Sequence, residues 1–89
     1  MSNETYLSHP NFGLLYSVCP VESGRELYTT LYAQRLFFVV NHTPQGLEFE
    51  PVSRSDARVM VEGRLRLLRR LGRSSEYNQL QRVHKQTFL

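Results

Sequence analysis

"LYAQRLFFVV" (residues 31–40) is the stretch on which the fold turns. Its right half is the most apolar part of the chain, with Phe37, Phe38, Val39 and Val40 in succession, and reads as a buried strand. Yet Gln34 and Arg35 stand between Tyr32 and Leu36, and a core strand does not welcome a guanidinium. If the stretch is one regular strand, Leu31, Ala33, Arg35, Phe37 and Val39 share one face. Tyr32, Gln34, Leu36, Phe38 and Val40 share the other, so each face carries one polar interruption. Two readings stay open. One is a bend or tight turn at Gln34-Arg35 with a solvated arginine. The other is a protein-contact patch of Tyr, Phe, Leu and Arg, types enriched at interface centres.

The sequence around it also reads as β. "FGLLYSVCPV" (12–21) is rich in aromatic and β-branched residues, and "ESG" (22–24) is a turn signal. "RELYTTLYA" (25–33) favours a strand, "RLFFVVNHT" (35–43) follows, and "PQG" (44–46) turns the chain again. "LEFEPV" (47–52) alternates as a half-exposed strand does. So many short strands predict a small, strongly bent barrel-like sheet.

From residue 53 the period changes. "SRSD" (53–56) matches a capping box, and residues 54–72 project as an amphipathic helix. Ala57, Met60, Val61, Leu65, Leu67, Leu68 and Leu71 fill its apolar arc, and Arg58, Glu62, Arg66, Arg69, Arg70 and Arg73 face the other way. Gly72 suits a left-handed C-cap, with Ser74 or Ser75 capping a second helix on which Tyr77, Leu80, Val83, His84 and Phe88 share a face. Two such helices predict an antiparallel hairpin. Arg64 breaks the pattern by falling in the apolar arc. Its stem is expected along apolar surface, with its head reaching water or a sheet glutamate.

At 89 residues with 40% hydrophobic composition the chain is one domain-sized unit. Such a chain buries little more than ~60% of its unfolded surface, leaving little room for a deep, dry cavity. The net charge of +3 is unevenly spread. Residues 1–53 carry five glutamates against two arginines. Residues 54–89 carry eight arginines and Lys85 against three acids. The basic half suits acidic protein or nucleic acid. The single Cys19 fits a reducing cytosol and reads as a small core residue. His9, His42 and His84 show no metal-ligand spacing, the glycines form no phosphate loop, and Glu48 and Glu50 read as a solvated pair. These residues describe a binding protein rather than an enzyme.

"YLSHPNFGLLY" (6–16), "TLYAQRLFFVV" (30–40), "FEPVSRSDAR" (49–58), "RLRLLRR" (64–70) and "EYNQLQRVHKQTFL" (76–89) together resemble the PII-interacting protein X (PipX) family of cyanobacteria. The resemblance implies an α+β chain with a Tudor-like β-domain over 1–53 and a two-helix segment over 54–89. It implies a non-enzymatic, cytoplasmic adaptor in nitrogen and carbon signalling. Such an adaptor binds the PII trimer or, alternatively, coactivates the NtcA dimer, in a partner exchange governed by 2-oxoglutarate. A GntR-type regulator is reached through PII. The chain is expected to hold no cofactor or metal, since 2-oxoglutarate and ATP or ADP bind the partners, and to contact neither nucleic acid nor membrane directly. The family's contact surface maps onto Tyr6, Phe12, Tyr16, Tyr32, Gln34, Arg35, Leu36 and Phe38, with secondary helix contacts at Arg64, Arg69 and Tyr77. The family pattern has an aromatic residue where this chain has His84, and no glycine in the helix connection. A weaker helix–helix contact and a looser hinge at Gly72 are therefore expected. The competing reading is a small basic RNA-binding domain, against which stands the net acidity of the aromatic-rich half.

Overall fold

The structure, a computed structural model, describes residues 6–31 and 36–88. Five strands, β1 (Tyr6–His9), β2 (Gly13–Glu22), β3 (Arg25–Thr30), β4 (Phe37–Thr43) and β5 (Gly46–Val52), precede helices α1 (Arg54–Arg70) and α2 (Ser74–Phe88). The sheet is an antiparallel meander in the order β1-β2-β3-β4-β5. It is curled into a half-barrel, giving the α+β arrangement expected. Register shifts on β2 between Ser17 and Cys19, and between Pro20 and Glu22, put extra residues into one strand. Bulges of this kind bend the strand and increase its twist. The curl brings the sheet's two edges together on its inner side, where the rings of His9 on β1 and Phe49 on β5 lie 4.9 Å apart.

The stretch 31–40 is not one strand. Phe37 pairs with Thr29 in the β3–β4 ladder, and the Thr30 amide donates to the Leu36 carbonyl at 3.1 Å. The Thr29 hydroxyl donates to the same carbonyl at 2.8 Å. The chain therefore reverses between Thr30 and Leu36. Strand β1 was not anticipated: it is four residues long, pairs on one side only, and includes polar Ser8 and His9.

β4 is buried on both faces, which explains its unbroken apolar run. Phe38 and Val40 join Leu15 and Tyr28 inside the half-barrel, with Leu7 and Phe49 packed against them. Phe37 and Val39 point outward and, with Cys19 and Leu27, meet Ala57, Val61, Leu65 and Leu68 of α1 and Leu80 and Phe88 of α2. The helices thus complete a second core shared with the sheet.

Ser53 caps α1, its hydroxyl accepting from the Asp56 amide at 3.0 Å. The helix closes in a Schellman motif: Gly72 takes φ +71°, its amide donates to the Arg69 carbonyl, and the Arg73 amide donates to the Leu68 carbonyl. Only glycine enters this backbone region without cost, and the motif satisfies carbonyls the helix end would leave bare. The Tyr77 amide donates to the Arg73 carbonyl, so α2 begins one residue ahead of the serine caps expected. Gly72 therefore ends one helix in a defined turn. Leu71, at the C-cap, lies beyond the last packed turn and is exposed.

Candidate protein-binding site

The turn between β1 and β2 is built around His9. Its Nδ1 accepts from the backbone amides of Asn11 at 3.0 Å and Phe12 at 3.3 Å. This holds Phe12 against the mouth of the half-barrel, where four rings gather. His9 lies 5.0 Å from Phe12, 5.1 Å from Phe38 and 4.9 Å from Phe49, and Phe12 lies 5.6 Å from Phe38. Beside them opens a depression of about 540 Å³, bordered by Phe12, Leu36, Phe38, Phe49, Pro51 and Arg54. Phe12 and Leu36 are 48% and 41% exposed on its rim. Large apolar side chains held in the open on a rigid, ring-backed support are what a protein interface needs at its centre.

The expected contact residues divide three ways. Tyr6 stands opposite Tyr16, Tyr16 opposite Thr29, and Thr29 opposite Phe37, so Tyr6 and Tyr16 share the outer, helix-side face. Tyr6 is 51% exposed there, and Tyr16 is half-buried. Phe12, Leu36 and Phe38 gather at the mouth, with Phe38 only 4% exposed: it backs Phe12 and is covered by it and by His9. Tyr32, Gln34 and Arg35 lie outside the described residues.

Sequence reasoning missed His9, Phe49 and Arg54 at this site. Spacing tests for histidine looked for metal or catalysis and not for a turn acceptor, although "SHPNF" sets a histidine directly before a Pro-Asn turn. Arg54 connects the site to the helices. Its Nη2 donates to the Thr87 carbonyl, and its guanidinium sits 5.5 Å from the Phe88 ring centre.

Of the helix residues expected to make secondary contacts, Arg69 is exposed and Tyr77 half-buried, both bordering a hollow at the helix turn. Arg64 is half-buried beside Cys19 and Pro20, and among the described residues it pairs with no sheet glutamate. His84, at which a weaker helix contact was expected, faces α1. Its Nε2–H donates to Glu62 Oε2 at 3.0 Å across the hairpin, and its ring lies 5.6 Å from Phe88. With Arg58 also donating to Glu62 at 3.0 Å, the Glu62 carboxyl is held below its usual range, chiefly by the His84 hydrogen bond and next by that of Arg58.

Among the described residues no cluster of His, Cys, Asp and Glu could hold a metal, and no helix is long and apolar enough to cross a membrane. A family model described as "PipX: PII-interacting protein X" matches residues 3–88, essentially the whole chain. No curated protein matches.

Proposed function

The chain belongs to the PII-interacting protein X family, a family of regulatory adaptors, and from that premise we propose that its half-barrel mouth is one contact surface used in turn by two partners. PII is the first. The second is the NtcA dimer, which the adaptor coactivates when rising 2-oxoglutarate releases it from PII. A GntR-type regulator is reached through PII, and the chain itself binds neither 2-oxoglutarate nor nucleotide.

The observation that carries this reading is the exposed pair Phe12 and Leu36 on their ring support, with Tyr6 exposed on the adjoining face. Leu36 closes the β3–β4 reversal, so residues 32–35, among them Tyr32, Gln34 and Arg35, are joined in sequence to that rim. One surface cannot be covered twice, so exclusion between partners follows from geometry. Metabolites bound to the partners then shift the adaptor between them by differential affinity alone.

Titration calorimetry with each partner tests the reading. Tyr32→Ala, Arg35→Ala and Leu36→Ala are each expected to weaken binding to PII and to NtcA together, by tenfold or more as for an interface anchor. The circular dichroism spectrum should stay unchanged. Undiminished binding of all three variants to both partners, or a ternary complex containing both, overturns it.

A further inference from the structure

A second concavity, remote in character from the aromatic mouth, lies between β2 and the helical hairpin. It measures about 230 Å³. Its apolar lining comes from Val18 of β2, Leu68 of α1, and Leu80 and Val83 of α2, and Arg64 borders it. The wall is irregular: the two register shifts of β2 flank this region, leaving Val18 and Val21 outside the ladder.

Arg64 is the unusual member. Arg25 is bound by Glu22, Glu50 and Asn41, Arg58 by Glu62, and Arg73 by Glu76. Arg64 is half-buried within the apolar arc of α1, yet among the described residues it has no hydrogen-bond or ion-pair partner. A half-buried arginine with no ion-pair partner among the described residues offers an incoming carboxylate a charge-assisted hydrogen bond. Among the described residues the carboxylate bordering the cleft is Glu76, and it is engaged by Arg73 at 3.3 Å. Arg64 also makes itself felt at the cleft's thiol, where its positive charge opposes the rise that burial imposes on Cys19.

Size narrows the ligand. With a water's share of liquid volume near ~30 Å³, the cleft holds roughly seven or eight non-hydrogen atoms. It is smaller than the ~300 Å³ at which sites for drug-sized ligands begin, too small for a nucleotide. A single cation calls for a single acid, and the apolar lining calls for an aliphatic stem.

We propose that this cleft binds a carboxylate carried on a short aliphatic stem, with the carboxylate paired to Arg64 and the stem lying on Val18, Leu68, Leu80 and Val83. A free short-chain carboxylic acid and a glutamate side chain of a bound protein present the same chemistry. The inference does not depend on the partner-exchange reading above.

The test is an NMR titration of the ¹⁵N-labelled full chain. The probes are pentanoate, its neutral isostere pentanamide, and the blocked tripeptide acetyl-Gly-Glu-Gly-amide. Saturable shifts at the Val18, Cys19 and Leu80 amides are expected with an acid and not with pentanamide. Arg64→Met keeps the apolar stem and should weaken that response tenfold or more, while Arg64→Lys should retain most of it, with both variants melting as the parent does. Saturation by pentanoate assigns the site to a free acid, and saturation by the peptide alone assigns it to a partner's glutamate. An equal response to pentanamide, no saturation with either acid, or an undiminished response in Arg64→Met overturns the proposal.

Discussion

Cys19 carries in one side chain the conflict that every residue of a small core must settle. It sits on β2 against Leu27 and the helices, almost without solvent contact. Burial disfavours the thiolate and pushes the thiol up to about 12 from its ordinary 9.0, only partly offset by Arg64. The nucleophile in thiol chemistry is the thiolate, so native Cys19 should be inert. Iodoacetamide labelling is expected to be negligible in the native chain and to rise in step with unfolding as urea is added. Fast labelling without urea would contradict the burial. Linkage gives a second consequence. The unfolded chain ionises its thiol from near 9.0 while the folded chain keeps the proton until about 12. The unfolded state is therefore favoured progressively across that window, and this contribution to stability is lost as pH rises. Arg64 shows the opposite settlement: an arginine among apolar neighbours was visible as an anomaly in the sequence, but its lack of an ion-pair partner among the described residues was not.

Among the elements, the helical hairpin shows how local and tertiary determinants divide the work. The Schellman turn at Gly72 is local, set by one residue that tolerates φ +71°. The closure of α2 onto α1 is tertiary, and its polar part is the bond from His84 to Glu62, separated by 22 positions. Because the folded Glu62 is held below the usual carboxylate range, the stability it contributes is present above that range. It is lost as pH falls through the depressed value. Urea midpoints from about pH 7 to about pH 3 should therefore decline for the parent. Glu62→Gln should start lower and decline less, since it removes the titrating partner of both Arg58 and His84. Parallel curves for the two proteins would exclude this role.

For the whole molecule, the sheet and the helices share one of the two cores, so neither segment completes its burial alone. Phe88 makes the point: its ring stacks on Phe37 at 5.5 Å, touches His84, and lies under the Arg54 guanidinium. Phe88→Ala removes a nearly buried ring at this junction and should cost about 3 kcal/mol, a large share of a small domain's ~5–15 kcal/mol. Urea unfolding monitored by far-ultraviolet circular dichroism and by tyrosine fluorescence should show one common, lowered midpoint. Separate transitions for sheet and helices would mean that the shared core does not couple them.

Much of this was legible in the sequence, because its determinants are local or periodic. The alternation in "LEFEPV", the Ser53 cap, the Gly72 stop and the apolar arc of 57–68 each act within a few residues, and each marks an element where the structure has one. The α+β order followed from the change of period at Ser53, and the burial of β4 from its unbroken apolar run. What local pattern could not decide was which distant groups meet. A four-residue edge strand has too little sequence to announce itself, and β1 exists because β2 pairs with it. His9 joins a cluster of rings at the half-barrel mouth only when curling brings Phe38 and Phe49 from other strands to its ring. Phe38, a contact position by family resemblance, is nearly buried beneath Phe12 and His9, because burial depends on what lands above a side chain and not on its own neighbours in the chain.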